Sequence, residues 1–197
     1  RDNPTDDHRS SVKSDSIIQD TTAPSMVLNN TPTYITTAKW SSDVTVTEAG
    51  SGISSYAWSI LTGGAIATIS PTDQLNTTVT PTGDGNLRLR LIATDGAGNL
   101  GYLYTSTSPY ILLDITPPSA PVITDPATPD DAYPTYTWAS GGGGNGTYRY
   151  NFDSTSWTEI AGTSYTPSSL TFGSHTFYLQ ERDPAGNWSS SDSSPFF

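Results

Sequence analysis

The chain has 197 residues, room for about two sandwich domains of roughly 100 residues each. Its formal net charge is −11 and lysine plus arginine number only 8, so no basic stripe exists to neutralise phosphates, and both nucleic-acid binding and attraction to an anionic membrane are excluded. It has no cysteine, hence no disulfide, and no run approaches the roughly 18 apolar residues of a membrane span.

Residues 1–19 are mostly polar and show no signal-peptide core, so the chain reads as a mature segment or an internal fragment. This stretch is a tail or the end of a preceding domain, because Ser16-Ile17-Ile18-Gln19-Asp20 is similar to Tyr110-Ile111-Leu112-Leu113-Asp114. Asp20-Thr21-Thr22-Ala23-Pro24 opens a first domain, residues 20–113. An early aromatic strand lies at Tyr56-Ala57-Trp58, and turns are marked at Gly63-Gly64 and from Pro81 to Gly85. Leu87, Leu89, Leu91 and Ala93 then alternate with polar residues, the pattern of a half-buried strand, and Asp95-Gly96-Ala97-Gly98-Asn99 follows it. The plan restarts at Asp114-Ile115-Thr116-Pro117-Pro118 and runs over residues 114–197. Here the aromatic strand is Tyr148 to Phe152, the alternating column is His175, Phe177, Leu179 and Glu181, and the closing loop is Asp183-Pro184-Ala185-Gly186-Asn187. No helical period of useful length occurs. The reading is all-β: two tandem antiparallel β-sandwiches joined by a short Pro-containing linker that proline stiffens.

Catalytic chemistry finds little to stand on. His8 lies in the tail and His175 aligns with Leu87 on a core-facing column, where a structural histidine is expected. The Gly141–Gly144 run lacks the Lys-Ser or Lys-Thr of a phosphate loop and reads as a flexible turn. A lysine isopeptide cross-link is impossible in the second domain, which has no lysine, and alternation beside Trp40 sends Lys39 outward. Trp157 and Trp188 are expected to pack under loops or at the joint. The chain is not expected to be an enzyme.

The two Asp-x-Thr-x-Pro starts and the two Asp-x-Ala-Gly-Asn loops resemble those of bacterial immunoglobulin-like tandem repeats of surface adhesins and exported multi-domain proteins. Residues 51–95 of the first copy also resemble PKD-type domains, through Ser51 to Trp58, Thr78 to Pro81 and the Leu87–Asp95 strand. The resemblance implies immunoglobulin-like sandwiches, an extracellular place on a bacterial surface or in a secreted protein, and a structural stalk or spacer role. The alternative is a carbohydrate- or protein-binding accessory module of a secreted polysaccharide-active enzyme. Expected partners are neighbouring domains of the same polypeptide, with carbohydrate or a host surface under the alternative, and a monomeric fragment.

Strand topology adds a candidate metal site. In a seven-stranded sandwich the start of the first strand, the connection between strands two and three, and the loop after the penultimate strand share one pole. That places Asp20 near Asp95 and Asn99, with Glu48 reaching the same pole, and Asp114 near Asp183 and Asn187. Calcium takes six to eight hard oxygen ligands, and carboxylates with loop carbonyls approach that set. Related adhesin repeats imply the same role, stiffening of the joint by calcium. The competing expectation is that Asp95 and Asp183 merely cap tight turns and that Asn99 and Asn187 take left-handed backbone positions.

Overall fold

The computed structural model describes residues 19–105, 110–126, 133–168, 170–171 and 173–196. The tail reading of residues 1–18 lies outside them. All regular structure among the described residues is strand, and it forms sheets that are antiparallel except for one parallel pair, in the two tandem copies that the repeated sequence marks.

The first copy is built on β8 (Gly85–Asp95). Alternation drives it: Leu87, Leu89, Leu91 and Ala93 are fully buried, while Arg88, Arg90, Ile92 and Thr94 line the outer face. On one side β8 pairs with β5 (Ile53–Thr62), with register shifts between Ile53 and Ser55 and between Ile60 and Thr62. On its other side β9 (Leu100–Tyr104) takes the Arg90–Thr94 half and β10 (Ile111–Leu113) takes the Gly85–Leu87 half. β2 (Tyr34–Ile35) then runs parallel to β10. The remaining strands are β1 (Ser25–Leu28) against β4 (Val44–Thr47), and β7 (Thr78–Pro81) between β3 (Trp40–Ser41) and β6 (Ala67–Ser70). Ile35, Val44, Trp58, Val79 and the β8 leucines pack into one cluster. Each buried large side chain contributes about 1.5–3 kcal/mol. The Trp58 indole N–H is satisfied by the carbonyls of Gln74 and Leu75, at 3.1 and 3.2 Å.

In the second copy β12 (Tyr136–Ala139) lies between β11 (Val122–Thr124) and β15 (Ser164–Tyr165). The other sheet runs β14 (Thr158–Ala161), β13 (Thr147–Phe152), β16 (His175–Arg182) and β17 (Asp192–Phe196). Its core is aromatic: Tyr136 stacks on Phe177 with centroids 4.3 Å apart, and Trp138 meets Tyr148 edge-on at 5.6 Å. Burial pushes the Tyr136 hydroxyl up to about 12. His175 does share the inward column of Phe177 and Leu179, but at its polar end, where Nδ1 lies 2.7 Å from Asp153 Oδ2 and Nε2 2.8 Å from the Thr171 carbonyl.

Two local expectations gain detail. The Gly141–Gly144 run bends at Gly142 and Gly143 and packs closely at its two ends. A Cβ on Gly144 would sit 2.0 Å from the Glu181 carboxylate, and one on Gly141 would sit 1.9 Å from the Ala120 carbonyl. Trp157 and Trp188, in turn, sandwich the Arg149 guanidinium at 4.8 and 4.2 Å, because a flat cation sits well on an indole face.

Candidate metal centre

The first pole gathers what chain order predicts. Asp20 Oδ2 accepts from the Ser51 backbone N–H and hydroxyl at 2.8 and 2.7 Å, and Oδ1 accepts from Thr22 N–H at 3.0 Å. Gly50 allows this approach: a Cβ there would lie 2.4 Å from Asp20 Oδ2. Asp95, at the end of β8, is only 1% exposed. Its Oδ1 accepts from Ala97 and Asn99 N–H at 2.9 and 2.8 Å, and its Oδ2 from the Asn99 amide at 2.8 Å. The same amide also donates to the Asp20 carbonyl at 3.1 Å, tying the closing loop to the incoming chain.

Glu48, just past β4, completes the group. Asp20, Glu48 and Asp95 each offer a carboxylate oxygen within 4.8 Å of the others. Both Glu48 carboxylate oxygens are buried with no hydrogen-bond partner. Burial first, and then the charges of Asp20 and Asp95, push the Glu48 carboxyl up. The Ser51 hydroxyl, with the Thr22 and Ser51 N–H groups, holds Asp20 below its ordinary value. For Asp95, burial pushes upward, but the Asn99 and Ala97 donors outweigh it and hold the carboxyl down. Two ionised aspartates therefore face a carboxylate that makes no well-formed hydrogen bond and feels only a weak pull from the Ala49 N–H.

The donor set fits a hard cation. All three side chains are carboxylates, and no histidine or cysteine joins them, which disfavours zinc or copper. A carboxylate has about four acceptor sites, so three donors leave about one on each aspartate, while Glu48 makes no well-formed hydrogen bond. Asp20, Glu48 and Asp95 would hold such an ion, calcium being one that takes oxygen ligands of this kind.

The second pole follows the same backbone plan with different side chains. Asp183 is buried and accepts from Gly186 and Asn187 N–H and from the Asn187 amide, at 2.6, 2.8 and 2.9 Å. That amide donates to the Asp114 carbonyl at 2.9 Å. Burial, then Asp183 and Asp84, push the Asp114 carboxyl up. Asp114, Asp183 and Asn187 thus share a pole, but no third acid joins them: among the described residues Asp20, Glu48 and Asp95 form the only such group. Ser140 follows β12 as Glu48 follows β4, and the acid instead lies on the strand as Glu181, 1% exposed. Its Oε2 accepts from the Ser140 hydroxyl at 2.8 Å and Gly141 N–H at 3.3 Å. In both loops the left-handed positions belong to Gly98 and Gly186 (φ 92° and 105°), not to the asparagines. Both asparagines act as donors that clamp the entering chain.

Two residues of these poles escape sequence reasoning. Ser51 grips Asp20 and also accepts from Ala97 N–H at 3.0 Å. Asp84, in the turn before β8, reaches the linker: Ile115 N–H donates to Oδ1 at 2.6 Å and the Thr116 hydroxyl to Oδ2 at 2.5 Å. With Asp114 N–H on the Ile35 carbonyl at 3.1 Å, the linker is fastened to the first copy, while Asn187 fastens it to the second. A Thr-Gly-Asp-Gly turn announces a turn, not a partner across a joint.

No family model and no curated protein matches the chain. Among solved structures it is similar to the fibronectin(III)-like modules of Clostridium thermocellum CbhA, at 13% identity over 87% of this chain and 93% of that one, with a TM-score of 0.47. It is also similar to the D00-D0 domain of Intimin, at 13% identity over 88% of this chain and 99% of that one, with a TM-score of 0.34. The chain is an all-β protein of tandem β-sandwich domains.

Proposed function

We propose that this chain is a non-catalytic spacer: a pair of immunoglobulin-like domains of a bacterial surface or exported multi-domain protein, with calcium bound at the first pole. The observation that carries the reading is the Asp20–Glu48–Asp95 group, whose Glu48 oxygens are buried without a well-formed hydrogen bond. A protein that leaves a buried carboxylate unpaired must protonate it or supply a cation, since the unpaired charge is costly. Asp20 precedes β1 and Asp95 ends β8, so an ion there would tie the entering chain to the domain. The linker supports the mechanical side of the reading. Its residues 114–116 are held by Ile35, Asp84 and Asn187, which favours a set orientation over a free hinge.

The test is calorimetric unfolding of the whole chain in millimolar calcium and in chelator. Calcium is expected to raise the melting temperature of the first domain, because a ligand that binds only the folded state stabilises it by mass action. The second domain is expected to respond little. An identical first-domain midpoint in both conditions would sink the calcium assignment.

A further inference from the structure

The outer face of the β5–β8–β9 sheet lies outside the spacer reading and differs in chemistry from the acidic pole. Arg88 and Arg90 stand on this face two residues apart, about 7 Å along the strand. Tyr104 lies opposite Arg90, Tyr102 opposite Ile92, and Ser59 opposite Arg90 on the other side. Tyr102 and Tyr104 are 50% and 40% exposed, with Leu100 exposed beside them. Opposite Arg90, Ile92 and Thr94 the β5 side chains Ser59, Ala57 and Ser55 are small, so the tyrosines stand beside a low floor, with Thr62 and the exposed Leu61 at its Arg88 end.

Three polar atoms here have no partner. Arg88 Nε, Arg90 Nε and Ser59 Oγ are each covered and make no hydrogen bond. Among the described residues neither arginine makes an ion pair; Arg88 has only the Tyr104 ring, 4.9 Å below its guanidinium. Buried donors are ordinarily satisfied, so these mark a surface short of an acceptor. The second copy shows the satisfied version. There Arg149 gives its Nε–H to Gln180 Oε1 at 2.7 Å and is closed between two indoles.

A chain of net charge −11 that sets two unpaired guanidiniums side by side on an open face has a local charge opposite to its own surface. Guanidinium forks recognise carboxylate and sulfate, and exposed tyrosine faces stack on flat, weakly polar rings. We infer that this face binds an acidic polysaccharide, with Arg88 and Arg90 taking the carboxylates and Tyr102 stacking on a sugar ring. A low floor beside an aromatic wall suits a chain of rings better than a polypeptide, which would need pockets for alternate side chains.

Affinity electrophoresis and titration calorimetry of the whole chain test it, with polygalacturonate as the probe, dextran as the neutral polymer and poly-L-glutamate as the peptide polyanion. Chelator is present throughout, so calcium-bridged uronate cannot mimic binding and the result is independent of the metal site. Polygalacturonate is expected to bind, and Arg90→Ala and Tyr102→Ser are each expected to weaken it at least tenfold. Trp157→Ala, on the second copy, should leave it unchanged. Tyr102 faces solvent, so its variant remains informative even if Arg90→Ala does not fold. No binding, equal binding of dextran or poly-L-glutamate, or undiminished binding by a folded Tyr102→Ser chain would each overturn the assignment.

Discussion

Glu48 carries a raised pKa, and the sign of its contribution differs from that of its neighbours. A carboxyl raised in the folded state stabilises below its ordinary value of 4.5, and that stability is lost as pH rises through the raised value. Asp20 and Asp95 are lowered, so their contribution is present above 3.8 and is lost only as pH falls below it. Both contributions are present between 3.8 and 4.5, and their losses fall on opposite sides of that range. In chelator, the first domain's melting temperature should therefore rise as pH falls from neutrality toward 4.5. Glu48→Gln removes the unpaired charge, so it should flatten that rise and abolish the response to calcium, both read by calorimetry. A Gln variant that still gains stability from calcium would remove Glu48 from the site. The aspartates and asparagines of the poles are legible from sequence because chain order alone brings a linker and a closing loop together. Ser51 is not, since one serine in a serine-rich chain has no distinguishing pattern. The donors of Glu181 are not either: alternation places it in the inward column, where an apolar residue is the rule, and the Ser140 and Gly141 donors, with the Tyr148 hydroxyl, make a buried carboxylate tolerable there.

At the scale of elements, long alternating strands are readable and short ones are not. β8 and β16 alternate over several turns of the pleat, so their inward columns are visible in the sequence. β2, β3 and β15 have two residues each and exist because a neighbour pairs with them, a tertiary cause that local pattern cannot carry. The start of β16 adds a pH-dependent fastening. His175 lies between the Asp153 carboxylate and the Thr171 carbonyl, and the Asp153 bond, followed by that carbonyl, raises its pKa. Its contribution is complete below the ordinary value of 6.5 and is lost as pH rises through the raised one. Asp153, held down first by His175 and then by Thr176 N–H, contributes above 3.8 and loses that as pH falls through its lowered value. The second domain should melt highest between about 3.8 and 6.5 and soften above that range. His175→Gln keeps a polar side chain but no titration, so it should flatten the alkaline decline. A second-domain midpoint that declines equally in the variant would show that another group is responsible.

Across the whole molecule, the repeat plan and two-domain length are legible because each motif occurs twice in the same order. The joint is legible only on its second-domain side, where chain order brings Asn187 to Asp114; its bonds to the first copy link residues that no local pattern relates. Asp84 is the decisive case. It sits in a turn of the first copy, yet both its carboxylate oxygens hold the linker, one on Ile115 N–H and the other on the Thr116 hydroxyl. Charged acceptors make the stronger hydrogen bonds, about 1.5–3 kcal/mol each, though an exposed position lies at or below the low end. Asp84→Ala removes both at once and leaves Asp114 N–H on Ile35 and Asn187 on the Asp114 carbonyl. The expected result is a looser joint with intact domains: both melting transitions persist, and the spread of inter-domain distances broadens. The absence of cysteine makes the measurement direct, since Thr45→Cys and Thr163→Cys, at exposed positions of the two copies, give a chain with only the two label sites. Pulsed dipolar spectroscopy should then show a narrower distance distribution in the parent than in Asp84→Ala. Equal widths would mean that Ile35 and Asn187 alone set the orientation and that Asp84 merely caps the linker.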